Sequence, residues 1–457
     1  MVVEIDEREI TMKKRIRLAI LLTLVLIFLF PQSTGCAPKE VEQTNDSLKI
    51  AYWGTNSLIS GPLYEFKQQH PDVEVTTDFQ PYTEEDPLGE AFFKRISAEV
   101  MSGSGPDLII LGQRGMNGNK MMRSGAFADL NEFIENDPDF DLSKYNGKIL
   151  EAGQVEGKQY IMPLTYTIPL VLTTQEMLDK TGFDISTAGN CNAFLEECLD
   201  VQGKNIEGVP ELSMTWRLTP YLADAVDYDT KEVKIDTPEN RETMRLNYEV
   251  VDIHRGEEGW GPSTGGIDDA LRVIENKAIF STVSLQFGYH LYSYRALKDV
   301  GTPVQAAVRD TEGRLMAEVG ESAAINANSP NKQNAYEFIK LMLDGLSSEH
   351  QMSGMVEIPV SNEAVGSYLE SLIGKEEKLS DALQGYTSEY VEVLPGLTQE
   401  EADAYMGLLE EIDGAYLREK DVTEAHGEIT RYYLGETTDL DSCIKAMEDK
   451  LKILISE

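Results

Sequence analysis

Apolar positions follow two different periods between residues 48 and 130. Residues 48–54 and 108–111 are apolar runs, and residues 73–79 alternate between apolar and polar positions, which predicts three strands. Apolar side chains in 63–69 and 91–101 recur at helical spacing. Strand, helix, strand, helix, strand is typical of βαβ units, in which helices cover a parallel sheet. The sequence therefore predicts an α/β fold with a doubly wound layer.

Further along the chain the pattern is less regular, but it still alternates between strands and helices. The sequence predicts a helical stretch that starts at 127–130 and a mostly helical tail from 367 to 457. The other predicted strands are 160–164, 169–174 and 278–283, and the other predicted helices are 183–200, 240–254, 268–276 and 331–343.

The N-terminal segment has the pattern of a secretory leader. Basic residues at 13–17 precede an apolar run from 18 to 30, followed by Ser-Thr-Gly-Cys at 33–36. The run falls within the roughly 7–15 residues of a leader core and below the ~18 expected of a spanning helix. Because the acidic residues before Met12 do not suit a leader, we expect Met12 to be the true start and residues 1–35 to be removed.

Small residues directly before Cys36 resemble the lipobox of bacterial lipoproteins, although Ser33 stands where that motif usually has Leu. The resemblance implies that the Cys36 sulfur is acylated and that 36–47, rich in Pro, Glu, Gln and Asn, is a tether. The alternative is an ordinary leader with a bystander cysteine. The lipidated reading places the protein on the outer face of the cell membrane, and we favour a Gram-positive surface.

Charge narrows the possible partners. The 457-residue chain has a net charge of −39, which argues against nucleic acid and against electrostatic docking on anionic lipid. The membrane link is therefore expected to be the lipid alone. The length predicts two or three globular units.

Cysteine and histidine spacing gives no sign of a metal site or of a disulfide. Cys191 and Cys198 are seven positions apart, so on one helix they would lie ~10 Å from each other, too far for a bridge. We expect them to be buried thiols, and Cys443 remains as a third. The five histidines include no His-x-x-x-His pair, so no metal or cofactor is predicted.

Five segments together resemble the extracellular solute-binding proteins of ABC importers, in the carbohydrate branch that includes maltodextrin-binding proteins. They are the opening strand 48–54, Gly-Ser-Gly-Pro-Asp-Leu-Ile-Ile at 103–110, Glu-Gly-Lys-Gln-Tyr-Ile-Met-Pro-Leu at 156–164, Ala-Ala-Ile-Asn-Ala-Asn-Ser-Pro-Asn-Lys at 323–332 followed by Ala-Tyr-Glu-Phe-Ile at 335–339, and Ile-Pro-Val at 358–360. The resemblance implies a periplasmic-binding-protein-like fold with two α/β lobes, hinge strands and a ligand cleft between the lobes.

The same resemblance implies a division of the chain and a set of partners. The N-terminal lobe would comprise 48–160 and 284–350, and the C-terminal lobe 161–283 and 351–457. The expected partners are a carbohydrate ligand and the membrane subunits of an ABC permease, with the protein itself a monomer and not an enzyme.

Site residues carried over from the resemblance fall in both lobes. The expected ligand-binding residues are Trp53, Asn56, Gln113, Arg114, Tyr166, Thr167, Trp260 and Phe287. Trp53 is as well explained by core packing, and Asn56 by loop solvation. Thr173-Thr174 replaces the family's usual Tyr-Asn, so the identity of the ligand stays open.

Two other functions remain open at this stage. Carboxylates are so abundant that a catalytic pair of a glycan hydrolase would not stand out, although no Gly-x-Ser-x-Gly elbow is present. A lipid-anchored sensor or adhesin of the same fold, uncoupled from import, is the third reading.

Overall fold

The computed structural model describes residues 42–54, 57–83, 85–86, 89–112, 116–204, 218–252, 267–275, 278–284, 287–345, 357–382 and 388–456. Contacts divide the chain after Glu42, and Gln43–Glu457 is one compact unit. In the described ranges, every helix is too short or too polar to span a bilayer.

Short strands are spread over the whole described chain. They are β1 (Ser47–Gly54), β2 (Glu74–Pro81), β3 (Leu108–Leu111), β4 (Gln154–Val155), β5 (Lys158–Gln159), β6 (Ile161–Pro163), β7 (Thr165–Thr167), β8 (Pro169–Thr174), β9 (Val226–Asp227), β10 (Glu232–Val233), β11 (Ser281–Ser284), β12 (Pro303–Ala307), β13 (Met316–Val319), β14 (Ser322–Ile325), β15 (Ile358–Pro359), β16 (Glu377–Lys378), β17 (Val393–Leu394) and β18 (Gly414–Leu417).

Helices lie between these strands and dominate the C-terminal part. They are α1 (Ser57–Gln69), α2 (Glu90–Met101), α3 (Gly118–Arg123), α4 (Asn131–Ile134), α5 (Gly147–Leu150), α6 (Gln175–Thr181), α7 (Cys191–Gly203), α8 (Pro238–Asp252), α9 (Ile267–Ile274), α10 (Phe287–Leu297), α11 (Lys332–Gly345), α12 (Asn362–Leu372), α13 (Leu379–Ala382), α14 (Gln399–Glu410), α15 (Lys420–Tyr433) and α16 (Leu440–Leu454).

The first sheet has the strand order β2-β1-β3-β14-β6. Strand β1 pairs in parallel with β2 and β3, as the βαβ pattern predicted, whereas β14 runs antiparallel to β3 and β6. Strands β3 and β14 are buried along their whole length because helices cover both faces. The result is the core of the first lobe.

The Gly-Ser-Gly-Pro-Asp loop holds separate segments of this lobe together. Gly103 and Gly105 take φ values of +80° and +98°, which a side chain would strain. The buried Asp107 carboxylate then accepts hydrogen bonds from the Lys49 N–H at 2.7 Å and the Ser329 hydroxyl at 2.6 Å. Three of the segments that carry the family resemblance, those with Lys49, Asp107 and Ser329, therefore meet at one carboxylate.

A four-stranded sheet with the order β15-β7-β13-β18, which we call the connecting sheet, links the first sheet to a second sheet with the order β11-β8-β12. The chain leaves the first sheet at β6, passes through β7 and enters the second sheet at β8. It returns from β12 through β13 to β14. Two crossings through one small sheet are the architecture of two lobes joined by a hinge.

The main apolar cluster extends from the first sheet through the connecting sheet to Leu170 on β8, and the second lobe has a further core of its own. The second lobe packs β8 against α7 around Val171, Phe194 and Phe280. Helices α15 and α16 pack against residues of α8 in a separate cluster that includes Met244, Ile429 and Met447.

Most predicted elements are confirmed to within a few residues, and strands 108–111 and 169–174 have the predicted bounds. Four predictions were wrong in detail. The helix expected from Leu63 begins at Ser57 and continues through Pro62. The helix expected from 127 begins at Asn131, because Phe127 forms an isolated bridge with Asn326. The helix expected from 183 begins at Cys191, where the Asn190 side chain caps two backbone N–H groups. The strand expected from 278 starts at Ser281.

The predicted lobe boundaries stay a prediction. Residues 303–307, which the prediction assigned to the first lobe, form β12 and pair with β8 in the second sheet.

Candidate functional site

Parallel strands β1 and β3 end at the same edge of the first sheet, which is where open α/β folds bind ligands. Trp53 lies near the end of β1, and Gly112 directly follows β3. The indole of Trp53 is half-buried and rests against Gly89, where a Cβ would come within 2.7 Å of the ring. Gly89 has a φ of +66°, which favours glycine. The absence of a side chain at this position leaves room for the Trp53 ring.

The surroundings of Trp53 determine what its side chain can bind. Its ring packs on the cluster of α2 and β3 and contacts Tyr82 with a centroid separation of 6.1 Å. Its Nε1–H is buried and has no acceptor among the described residues. A donor without an acceptor beside a half-exposed aromatic face suits a hydroxylated ligand.

The connecting sheet has one apolar and one polar face. Tyr166 pairs with Val319 and Ile358, and all three are buried in the main core cluster. On the other face, register places Thr167, Glu318 and Tyr416 side by side. Alternation along short strands therefore separates the core of the hinge from a row of hydrogen-bonding groups, which we call the polar face.

Glu318 and Arg418 form an ion pair on this polar face. Glu318 accepts from the Tyr416 hydroxyl at 3.0 Å and pairs with the Arg418 guanidinium at 3.0 Å. The side chains of Glu318 and Arg418 are 16% and 19% exposed, so the pair is largely shielded from water. The Nε–H of Arg418 has no acceptor among the described residues. Carboxylate, guanidinium and hydroxyl groups together can both donate to and accept from sugar hydroxyls.

A second acidic group lies beside the polar face, where β13 turns into β14. The Thr165 hydroxyl donates to the Glu357 carboxylate and accepts the Glu321 N–H at 2.8 Å. Burial, followed by the charge of Glu357, raises the pKa of Glu321. Burial likewise raises the pKa of Glu357, against the hydrogen bond from Thr165. These carboxyls are therefore held in a setting that disfavours their ionisation.

The N-termini of α3 and α15 are joined by two further carboxylates. Glu419 Oε1 accepts from the N–H and side-chain amide of Asn119 at 3.0 and 2.8 Å. Asp421 and Asn117 exchange two hydrogen bonds of 2.7 and 2.9 Å. Burial raises the pKa of Glu419 to about 7, although the amide donors of Asn119 act against it. These contacts latch the segment after β3 to the segment after β18.

A polar cleft of about 700 Å³ opens beside this latch. Its charged lining residues are mostly acidic, and its cations are already engaged: Arg123 with Asp229, Lys234 with Asp227 and Arg314 with Asp310. Volume alone would admit an oligosaccharide. In its lining, Tyr228 Oη and Glu419 Oε2 are buried without a hydrogen-bond partner among the described residues, so the cleft also keeps groups that a ligand could use.

The structure places the predicted site residues unevenly. Trp53 lies at the sheet edge and Thr167 on the polar face, whereas the Tyr166 side chain is fully buried on the opposite face. Phe287 begins α10, and its side chain is not among those described. Outside the described residues lie Cys36, Asn56, Gln113, Arg114 and Trp260.

Sequence reasoning missed the acidic and basic members of the polar face. Glu318 and Arg418 stand in segments with no motif of their own, and only strand pairing brings them together. Glu357 and Glu321 carried a weak signal, because Glu357 directly precedes the quoted segment 358–360 and Glu321 lies two residues before the quoted segment that starts at Ala323.

The three thiols of the described residues are buried, as predicted. Cys191, Cys198 and Cys443 are free and buried. Within the described part of the chain, His, Cys, Asp and Glu form no group of three that would hold a metal ion.

Comparison with known proteins gives both a family and a fold. Residues 54–344 match the profile of the bacterial extracellular solute-binding protein family. An ABC substrate-binding protein from Listeria monocytogenes in complex with cycloalternan has a TM-score of 0.56 at 16% identity, covering 90% of this chain and 99% of that one. The cyclic alpha-maltosyl-1,6-maltose binding protein from Arthrobacter globiformis gives 0.55 at 16% identity, covering 90% and 98%.

A third similar structure is the GacH receptor of Streptomyces glaucescens, solved unliganded and with acarbose. It has a TM-score of 0.53 at 17% identity and covers 91% of this chain and all of that one. At these identities the likeness establishes the two-lobe fold, and the profile match, which spans more than half of the sequence, establishes the family. This chain belongs to the bacterial extracellular solute-binding proteins.

Proposed function

We propose that this protein captures a carbohydrate between its lobes and delivers it to an ABC permease. The observation that carries the proposal is the double crossing of the chain through the connecting sheet, which puts a polar face at the junction of two lobes. A ligand that contacts both lobes would favour one arrangement of them, and that arrangement is the signal to a membrane partner.

The chemistry at the edge of the first sheet and on the polar face of the connecting sheet supports a hydroxylated ligand. Trp53 offers an aromatic face with a donor that lacks an acceptor among the described residues, and Thr167, Glu318 and Arg418 offer donors and acceptors. Similar structures were solved with cycloalternan, acarbose, maltose and mannotriose, which agrees with a sugar as the substrate class.

A thermal-shift screen of the full chain would test the substrate class. We expect cycloalternan, maltose or mannotriose to raise the melting temperature, because a ligand at 100 times its Kd adds about 2.7 kcal/mol of stability. Amino acids, polyamines and divalent metals are the controls. A shift with one of these and none with any sugar would refute the carbohydrate proposal.

The variant Trp53→Ala would test the site itself. We expect it to lose the sugar-dependent shift, whereas Tyr64→Ala, with a side chain that is 70% exposed on α1, should keep it. If Trp53→Ala kept the full shift, the sugar would bind elsewhere, and the polar cleft of 700 Å³ would be the next place to examine.

Membrane attachment and import need separate measurements. We propose that Cys36 is acylated after removal of residues 1–35, that 36–47 is the tether and that the protein is a monomer on the outer face of the cell membrane. Metabolic labelling with an alkynyl fatty acid should mark the wild type and not Cys36→Ser. Copurification with a permease would separate an importer subunit from a sensor or adhesin, and release of reducing ends from a bound glycan would indicate a hydrolase instead.

A further inference from the structure

A second aromatic ring lies beside Trp53 at the edge of the first sheet. Tyr82 directly follows Pro81, the last residue of β2, and β2 pairs in parallel with β1. The centroids of the Tyr82 and Trp53 rings are 6.1 Å apart, and the two ring planes are inclined by 58°. Trp53 and Tyr82 therefore form one aromatic surface at the carboxyl ends of two neighbouring strands, which we call the aromatic pair.

Tyr82 is the more accessible member of the aromatic pair. It is 58% exposed, whereas the Trp53 indole is half-buried against the cluster of α2 and β3. The end of β1 is open beside them, because a Cβ on Gly54 would meet no atom of the described residues within 4 Å. A single exposed tyrosine is ordinary. One that contacts a half-buried tryptophan at an open sheet edge instead extends the surface on which a ligand can lie.

The loop that carries Tyr82 is anchored at Asp86. The Asp86 N–H donates to the Thr83 hydroxyl at 3.2 Å. The Asp86 carboxylate accepts the N–H groups of Glu90 and Ala91, the first residues of α2, at 2.7 and 3.1 Å. The segment that follows the exposed ring is thus tied to a helix. The aromatic pair is therefore formed before a ligand binds, which reduces the entropy lost on binding.

The inclination of the two rings limits which ligand can use both. An aromatic ring makes the most contacts with the C–H face of a pyranose when the two planes are parallel. One pyranose can be parallel to either of two planes inclined by 58°, but not to both. Two linked sugar units can each lie on one ring, because the glycosidic bond turns the second unit relative to the first. The phenolic hydroxyl of Tyr82 can in addition donate to and accept from sugar hydroxyls.

We propose that Tyr82 contacts the ligand and makes the site select oligosaccharides over monosaccharides, by stacking on the sugar unit next to the one that lies on Trp53. This inference rests on the proposed carbohydrate function. It adds to that function the minimum length of the ligand and the residue that sets it. A monosaccharide would bury its apolar face on one ring only, and a second unit would add the burial on Tyr82.

Calorimetric titration of the full chain with two length series would test the inference. The series are glucose, maltose and maltotriose, and mannose, mannobiose and mannotriose. In the series that binds, we expect the wild type to prefer the trisaccharide over the monosaccharide. Tyr82→Ala should lower the affinity for the trisaccharide about tenfold and leave that for the monosaccharide unchanged. Tyr82→Phe keeps the ring and should keep the preference.

The matched control is Tyr64→Ala, which removes another exposed tyrosine, on α1, and should retain the wild-type preference. Because Tyr82 is exposed, Tyr82→Ala without sugar should melt at nearly the wild-type temperature. An unchanged preference in Tyr82→Ala would overturn the inference and leave sugar binding standing, as would a wild type that binds the monosaccharide as tightly as the trisaccharide. If the wild type bound no member of either series, this inference would fall together with the carbohydrate proposal that it extends.

Discussion

The first sheet and the connecting sheet are both built from short strands, but they differ in which side chains they bury. Leu108–Leu111 is buried at every position, and the lobe around it is a fixed apolar scaffold. The connecting sheet buries one face and lines the other with Thr167, Glu318 and Tyr416. The contrast shows that, apart from Asp107 just before β3, the centre of the first sheet is apolar, whereas charged side chains gather where the lobes join.

The two regions should also respond differently to the same kind of perturbation. The scaffold should be sensitive to lost volume, and the connecting sheet to added volume and to pH. Four substitutions, ordered from the largest expected effect, would break or sharpen this contrast.

Ile109→Ala should have the largest effect. Ile109 is fully buried in the central strand, and removing three carbons from such a site lowers the free energy of unfolding by about 2–5 kcal/mol. Urea denaturation measures this loss. Val300→Ala, at a site that is 46% exposed, is the control and should change stability by less than about 0.5 kcal/mol. Equal losses in both variants would mean that the sheet is not the rigid core.

Gly320→Ala should come next, through added volume in the connecting sheet. Because its Cβ would overlap the Glu357 carboxylate, we expect a loss of about 1–3 kcal/mol and a displaced crossing. Gly366→Ala on α12 is the matched control, since nothing lies within 4 Å of its Cβ. Alanine should stabilise that helix slightly. If both variants were equally stable, the junction would have more free space than the contacts indicate.

Thr165→Val removes the Thr165 hydroxyl at nearly constant volume. Glu357 loses a donor and the Glu321 N–H loses an acceptor, so we expect a loss of about 1–2 kcal/mol at pH 7. Thermal unfolding measures it. Thr76→Val, at an exposed position of β2, should be neutral or slightly favourable. If Thr165→Val were as stable as the wild type, the Thr165 hydroxyl would not stabilise the junction of the lobes.

Asp137→Asn should have the smallest effect, with a pH dependence opposite to that expected of Glu321, whose pKa is raised by burial. The Lys340 ammonium, 2.6 Å away, lowers the pKa of Asp137. Its stabilisation, about 1 kcal/mol, is therefore present at neutral pH and lost as the pH falls through the folded-state pKa. The wild type and Asp137→Asn should converge in melting temperature toward pH 3. The exposed Asp72→Asn is the control, and a constant gap down to that pH would contradict the assignment.

The same contrast explains what could be predicted from the sequence. The βαβ order, the buried 108–111 strand and the family were predictable, because local apolar periodicity and short motifs encode them. The start of α7 was missed because the Asn190 cap overrides the apolar pattern from Phe183. Capping is a local backbone preference that periodicity does not report.

The candidate site was predictable in one half only. Trp53 and Thr167 were named because they lie beside recognisable segments. Glu318, Glu357 and Arg418 were not, since they are up to 100 positions apart and meet only through the register of β7, β13 and β18. Tyr166 and Thr167 show the limit of a motif, because adjacent residues of one strand face opposite sides and a match to the segment does not say which side binds.

Three of the cysteines are buried, so the reactivity of the thiols can report both the modification of Cys36 and the unfolding of the chain. Burial raises the pKa of Cys191 to about 12 and holds that of Cys198 well above its ordinary range, so neither forms the thiolate that alkylating reagents attack. Cys443 is also buried, and the sequence holds four cysteines in all. Iodoacetamide added to folded protein would thus count one sulfur if Cys36 is unmodified and none if it is acylated, and heating would reveal the remaining three as the chain unfolds.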